Sequence, residues 1–352
     1  MRGFMAFAAC VFFILPAWGQ WENQMSGTDV QLRGISAVSD KIAWASGAKG
    51  TVLRTIDGGE HWSKVSVPGA EALDFRDIQA FDWNTAFVLS IGPGEQSRIY
   101  KTSDGGKSWQ LQFTNKDPKA FYDCFAFWDS KHGIALSDSV DGKFPLIATT
   151  DGQTWAPVAV KSMPAALPNE GAFAASGTCI TTYGKHDVWF GTGGPAARVF
   201  HSSDRGVNWT VAETPVVHGE ASQGIFAVGF STKKEGVVVG GDYQHPLTTL
   251  ANAAITHDGG KKWAIAAELP NGYRSGLSRA PNGWWISVGI AGTDSATDGD
   301  HWWRESMQSG AMERGDNHEY NAISCRKKTC WAVGPKGAIG KKQVFQHLII
   351  IE

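Results

Sequence analysis

Charge is scarce in this chain. Acidic and basic residues together make up 19% of 352 positions, and the formal net charge is −2. No dense basic run occurs, which excludes the electrostatic footprint of a nucleic-acid binder. No apolar pattern of helical period persists beyond two or three turns, so long amphipathic helices are excluded as well. Cysteines number five, and none falls in a CxxC or Cys/His spacing that holds zinc. HExxH pairs and G-x-S-x-G elbows are missing, and no Gly-rich string opens a helix after a strand. Metal and cofactor are therefore not expected.

Long apolar runs are equally rare. The one at residues 4–16 follows Arg2 and precedes the small-residue site Ala17-Trp18-Gly19. It is too short for a membrane span and fits a signal peptide over 1–19, with the mature chain beginning near Gln20. A lipoprotein reading would use Cys10, with only nine residues before it, and an uncleaved anchor is the other alternative. Export to the periplasm or beyond is expected. Cys325 and Cys330 flank Arg-Lys-Lys-Thr and are placed to close a hairpin in an oxidising compartment. Cys124 and Cys179 lie in apolar strand-like segments and read as buried free thiols.

Glycine (42) and tryptophan (16) are abundant, and they recur together. One turn is written six times: TIDGGEHW (55–62), TSDGGKSW (102–109), TTDGQTW (149–155), SSDRGVNW (202–209), THDGGKKW (256–263) and ATDGDHW (296–302). The steps between Trp62, Trp109, Trp155, Trp209, Trp263 and Trp302 are 47, 46, 54, 54 and 39 residues. Self-similarity at this period marks an array of one supersecondary unit. Each interval offers about four short strands, the content of a propeller blade. The turn is the Asp-box, S/T-x-D-x-G-x-x-W, joining third and fourth strands. The copies at Asp151 and Asp298 are one residue short, and Ala296 lacks the leading hydroxyl.

The chemistry of the turn explains its composition. The aspartates (Asp57, Asp104, Asp151, Asp204, Asp258, Asp298) can accept backbone N–H bonds as in an Asx-turn. Glycine takes the positive φ the corner needs, and tryptophan wedges against the neighbouring sheet. A catalytic acid is needed once, not six times, so these residues read as structural. After Trp302 one further unit offers three strands and no Asp-box. Residues 21–25, WENQM, supply the missing outer strand. The fold expected is an all-β, seven-bladed β-propeller over 20–345, its last blade closed by the N-terminal strand, with a tail at 346–352.

These repeats resemble the photosystem II stability/assembly factor-like group, a BNR or Asp-box repeat family. The resemblance is carried by WASGAKGTVLRTIDGGEHW (44–62) and WAVGPKGAIGKK (331–342) and covers nearly all of 21–342. It implies a non-catalytic scaffold that binds a partner polypeptide; in photosynthetic members the partner is a reaction-centre subunit under assembly. A membrane-protein precursor is one candidate partner, and a monomer is expected. More distantly the chain resembles the sialidases, which implies the alternative of a glycoside hydrolase. Such a site needs three arginines on a carboxylate, a Tyr nucleophile with a Glu partner, and an Asp acid/base. Tyr122, Tyr320, Asp138 and Asp141 add to the raw material for it. The sialidase Arg-Ile-Pro signature is absent; QLRGIS (31–36) comes nearest and lacks the proline.

Activity, in either case, is expected on the face opposite the Asp-box turns, where loops are long and unequal. The candidate partner-binding residues there are Arg33, Arg76, Arg98, Arg198 and Arg274, with Glu170, Asp242, Tyr243 and Tyr273. Convergence of the arginines on one cavity would favour an acidic ligand; dispersal would favour a broad docking surface.

Overall fold

Residues 20–305 and 319–344 are described by the computed structural model. The expected leader (1–19), the tail at 346–352 and most of the loop at 306–320 lie outside them. Seven four-stranded antiparallel sheets follow one another along the chain, giving a seven-bladed β-propeller. The innermost strands are Leu32–Ala37, Asp74–Ala80, Tyr122–Phe127, Ile180–Tyr183, Gln223–Phe230, Gly276–Arg279 and Ala322–Arg326, for blades 1 to 7 in turn. Among the described residues the only helical turns are Gly94–Gln96 and Pro335–Gly337. None is long or apolar enough to cross a membrane.

Burial follows strand position. Second strands such as Ala43–Gly47, Asp187–Gly191 and Thr329–Val333 are buried at every residue, while the outer strands Ser63–Lys64 and Ala156–Pro157 are exposed. A second strand is covered on both faces by neighbouring blades, so it must be apolar or small throughout. Gly47 shows how tight this is: a Cβ there would lie 2.3 Å from the Gln31 carbonyl oxygen. Blades are also stitched across their seams. Trp44 donates its Nε1–H to the Asp82 carbonyl and Trp189 donates to that of Gly259. Around the axis, Ser36 accepts the Ala80 N–H, Ser278 that of Cys325 and Ser324 that of Ala37.

The ring closes through the chain ends. Glu22–Gln24 is the outer strand of blade 7, paired antiparallel with Ile339–Gln343, with Glu22 opposite Lys341 and Gln24 opposite Ile339. Trp21 packs at 5.0 Å on Tyr320. The first strand therefore begins, and the last strand ends, at the same rim, the one carrying the Asp-box turns.

The cysteines require one correction. Cys325 and Cys330 face each other across a hairpin and are disulfide-bonded. Cys124 and Cys179 are also bonded to each other, not free. Cys124 lies on the inner strand of blade 3 and Cys179 immediately precedes that of blade 4. Adjacent blades bring them together, a contact that the local pattern around each cysteine does not contain.

Candidate functional site

The six Asp-box turns lie in six separate blades and each bonds within itself. In blade 2 the Thr102 hydroxyl donates to Asp104 Oδ1 at 2.9 Å and accepts the Gly106 N–H. Asp104 also accepts the Ser108 N–H and hydroxyl. Those Ser108 bonds hold the Asp104 pKa down at about 2. Asp57 is depressed too, mainly by the His61 N–H and ring. Their oxygens are spent on the corner. Trp155, Trp209 and Trp302 are buried, and Trp62, Trp109 and Trp263 half-buried.

The loop face is organised differently. All five candidate arginines lie on it, but only two meet. Arg33 and Arg76, near the starts of the inner strands of blades 1 and 2, both reach the segment 171–178 that leads into blade 4. Arg33 Nη1 donates to the Ala175 carbonyl at 3.2 Å, and Arg76 Nη1 to that of Ala174 at 3.1 Å. Arg76 Nε also donates to Asp74 Oδ2. Burial, and then the like charge of Arg76, lower the Arg33 pKa. Tyr273 stands beside them, its phenol pushed far up by burial and influenced by both arginines. Tyr273 packs on Phe226, which stacks on Phe173 at 3.8 Å and meets the exposed Tyr243 edge-on.

The other three arginines are committed elsewhere. Arg198 is paired in the interior with Glu170, which also accepts from Thr192. Arg274 is fully buried and paired with Asp294. Arg98 donates to the Glu95 carbonyl in its own loop. Asp242 accepts from Gln223 and sits 3.0 Å from His245. Glu170 thus faces an arginine rather than a tyrosine, and the residues offered for a glycosidase do not assemble.

Sequence reasoning offered Asp138 as raw material and missed two further buried acids near the arginine pair, Asp123 and Asp77. Asp123 is buried with Oδ2 unpartnered, and burial together with Asp138 raises its pKa well above the carboxylate range. Burial raises Asp138 to about 6, opposed by the Ala172 N–H it accepts at 2.8 Å. Asp77, also buried and raised, accepts the Phe125 N–H. No motif marks these positions. Below the segment 176–178, a well of about 500 Å³ opens along the axis toward the Asp-box face, lined by the far ends of the inner strands.

Residues 15–162 match the family described as Photosynthesis system II assembly factor YCF48. The chain is similar to the Ycf48 assembly factors. The photosystem II assembly protein Ycf48 of Synechococcus sp. (strain JA-2-3B'a(2-13)) is 24% identical over 65% of this chain and 72% of its own. The photosystem II assembly lipoprotein Ycf48 of Picosynechococcus sp. (strain ATCC 27264 / PCC 7002 / PR-6) is 24% identical over 72% of this chain and 80% of its own. A solved structure of YCF48 bound to D1 peptide superposes with a TM-score of 0.64 at 14% identity, covering 93% of this chain and 97% of that one. At that identity the superposition establishes the shared propeller fold and nothing finer.

Proposed function

We propose that this chain is a non-catalytic, exported propeller that holds an extended segment of a partner polypeptide at the Arg33–Arg76 mouth of its loop face. One observation carries the reading: the two guanidinium groups already hold a peptide main chain, the 174–175 carbonyls of the protein itself. A guanidinium presents five fixed donors, and a carboxylate accepts two of them at once while neutralising the charge, which a carbonyl does not. An acidic or carboxy-terminal segment is the chemistry that best fits two adjacent arginines. Tyr243 and Phe226 offer aromatic surface alongside for an apolar side chain. Similarity to the Ycf48 proteins, one of them solved with a D1 peptide, supports a membrane-protein precursor as the source. Export is supported by the leader-like 1–19 segment, by a relative named a lipoprotein and by two disulfides.

The test is fluorescence anisotropy with a labelled D1 peptide and with a short acidic peptide bearing a free C-terminus. Arg33→Ala and Arg76→Ala are each expected to weaken binding roughly tenfold, the scale of one charge-assisted bond, while Arg98→Ala leaves it unchanged. Absence of binding to both peptides, or binding indifferent to Arg33 and Arg76, would refute this function.

A further inference from the structure

The inner strand of blade 4 is short. Ile180–Tyr183 has four residues, as does the inner strand of blade 6, where blades 2 and 5 have seven and eight. The place of its first half is taken by the strap 171–178, Gly-Ala-Phe-Ala-Ala-Ser-Gly-Thr, which crosses the axis instead of pairing in the sheet. Its contacts reach six blades. Beyond Arg33 of blade 1 and Arg76 of blade 2, Ala172 donates its N–H to Asp138 of blade 3, and Gly171 pairs with Gly193 of blade 4. Phe173 stacks on Phe226 of blade 5, and Thr178 accepts the Val228 N–H. Ser176 donates to the Ser275 carbonyl beside blade 6. Gly177 sits at φ +77°, where a Cβ would fall 2.3 Å from Asp77 Oδ1. Small side chains are required because the strap threads the point where the inner strands converge.

The strap gives the arginine pair neutral acceptors only. Arg33 Nε is buried with no protein partner, and Arg33 makes no ion pair among the described contacts. Asp74 is the one carboxylate ion-paired with the two cations among the described contacts, and the buried Asp123 near Arg76 is pushed toward its neutral form, which leaves charge a carbonyl cannot neutralise. We propose that the strap is a built-in competitor. It occupies the Arg33 and Arg76 donors through the Ala174 and Ala175 carbonyls, and an incoming carboxylate-bearing peptide takes those donors by lifting it. This rests on the function proposed above and adds its regulation: affinity is set by how firmly the strap is seated, and the seat is Phe173 on Phe226.

The experiment needs no partner to begin. Phenylglyoxal modification of the intact protein, mapped by mass spectrometry, reads how freely each guanidinium is presented. Phe173→Ala removes a stacked pair worth about 0.5–1.5 kcal/mol, so Arg33 and Arg76 are expected to react roughly three- to tenfold faster, with Arg98 unchanged as the internal standard. Ser176→Ala is a milder second variant, expected to move both in the same direction should Phe173→Ala fold poorly. Hydrogen exchange of 171–178 is then followed with and without the D1 peptide, and faster exchange on binding is expected. Unchanged Arg33 and Arg76 reactivity in both variants overturns the proposal, as does a strap more protected with peptide bound. If no peptide binds, the function fails on its own assay, while the reactivity result still decides whether the strap masks the arginines.

Discussion

Asp138 shows how one residue on this face sets a pH dependence. Its folded pKa is near 6, raised by burial, against about 3.9 for an unfolded aspartate. The folded state therefore keeps a proton that the unfolded chain gives up. The contribution is fully present below about pH 4 and is lost as pH rises through about 6. Asp138→Asn, which retains an oxygen for the Ala172 N–H, is expected to flatten that part of the stability profile. Urea denaturation at several pH values across this window measures it, and an unaltered slope would show that Asp138 does not titrate there. At this scale legibility divides sharply. The Asp-box acids are readable because every partner lies within four residues. The Arg274–Asp294 and Arg198–Glu170 pairs are not, since their members lie 20 and 28 residues apart and meet only when strands align.

Among the elements, the strap is the one the repeat does not specify. Its sequence stands out as a long loop of small residues, but with no period there is nothing to say that it enters the axis. Its bonds span up to 142 residues, from Ala175 to Arg33. The Cys124–Cys179 disulfide pins its far end to blade 3 and closes a 55-residue separation. Loop-closure entropy for that length is worth about 4 kcal/mol. The Cys124→Ser, Cys179→Ser double variant is expected to lose about that much, read as a lower denaturation midpoint, whereas opening the five-residue Cys325–Cys330 loop costs less. Equal losses at the two bridges would contradict this ranking.

The whole molecule was the most legible scale. Six corners recurring at steps of 39 to 54 residues and a three-stranded remainder implied seven blades, because six of the units repeat the same local chemistry. Closure by the N-terminal strand follows from counting strands. Removing residues 20–25 strips the outer strand from blade 7, takes Trp21 off Tyr320 and bares the edge of Ile339–Gln343. Exposed edges recruit other chains. The truncated protein is expected to melt earlier and to self-associate as concentration rises, seen by calorimetry and light scattering; a monomer of unchanged melting temperature would make the closing strand dispensable.

The pairing in blade 7 also divides the two rims of the wheel. Within the described residues the chain enters at Glu22 and leaves after Gln343 on the corner-bearing rim, while the arginine mouth opens on the other.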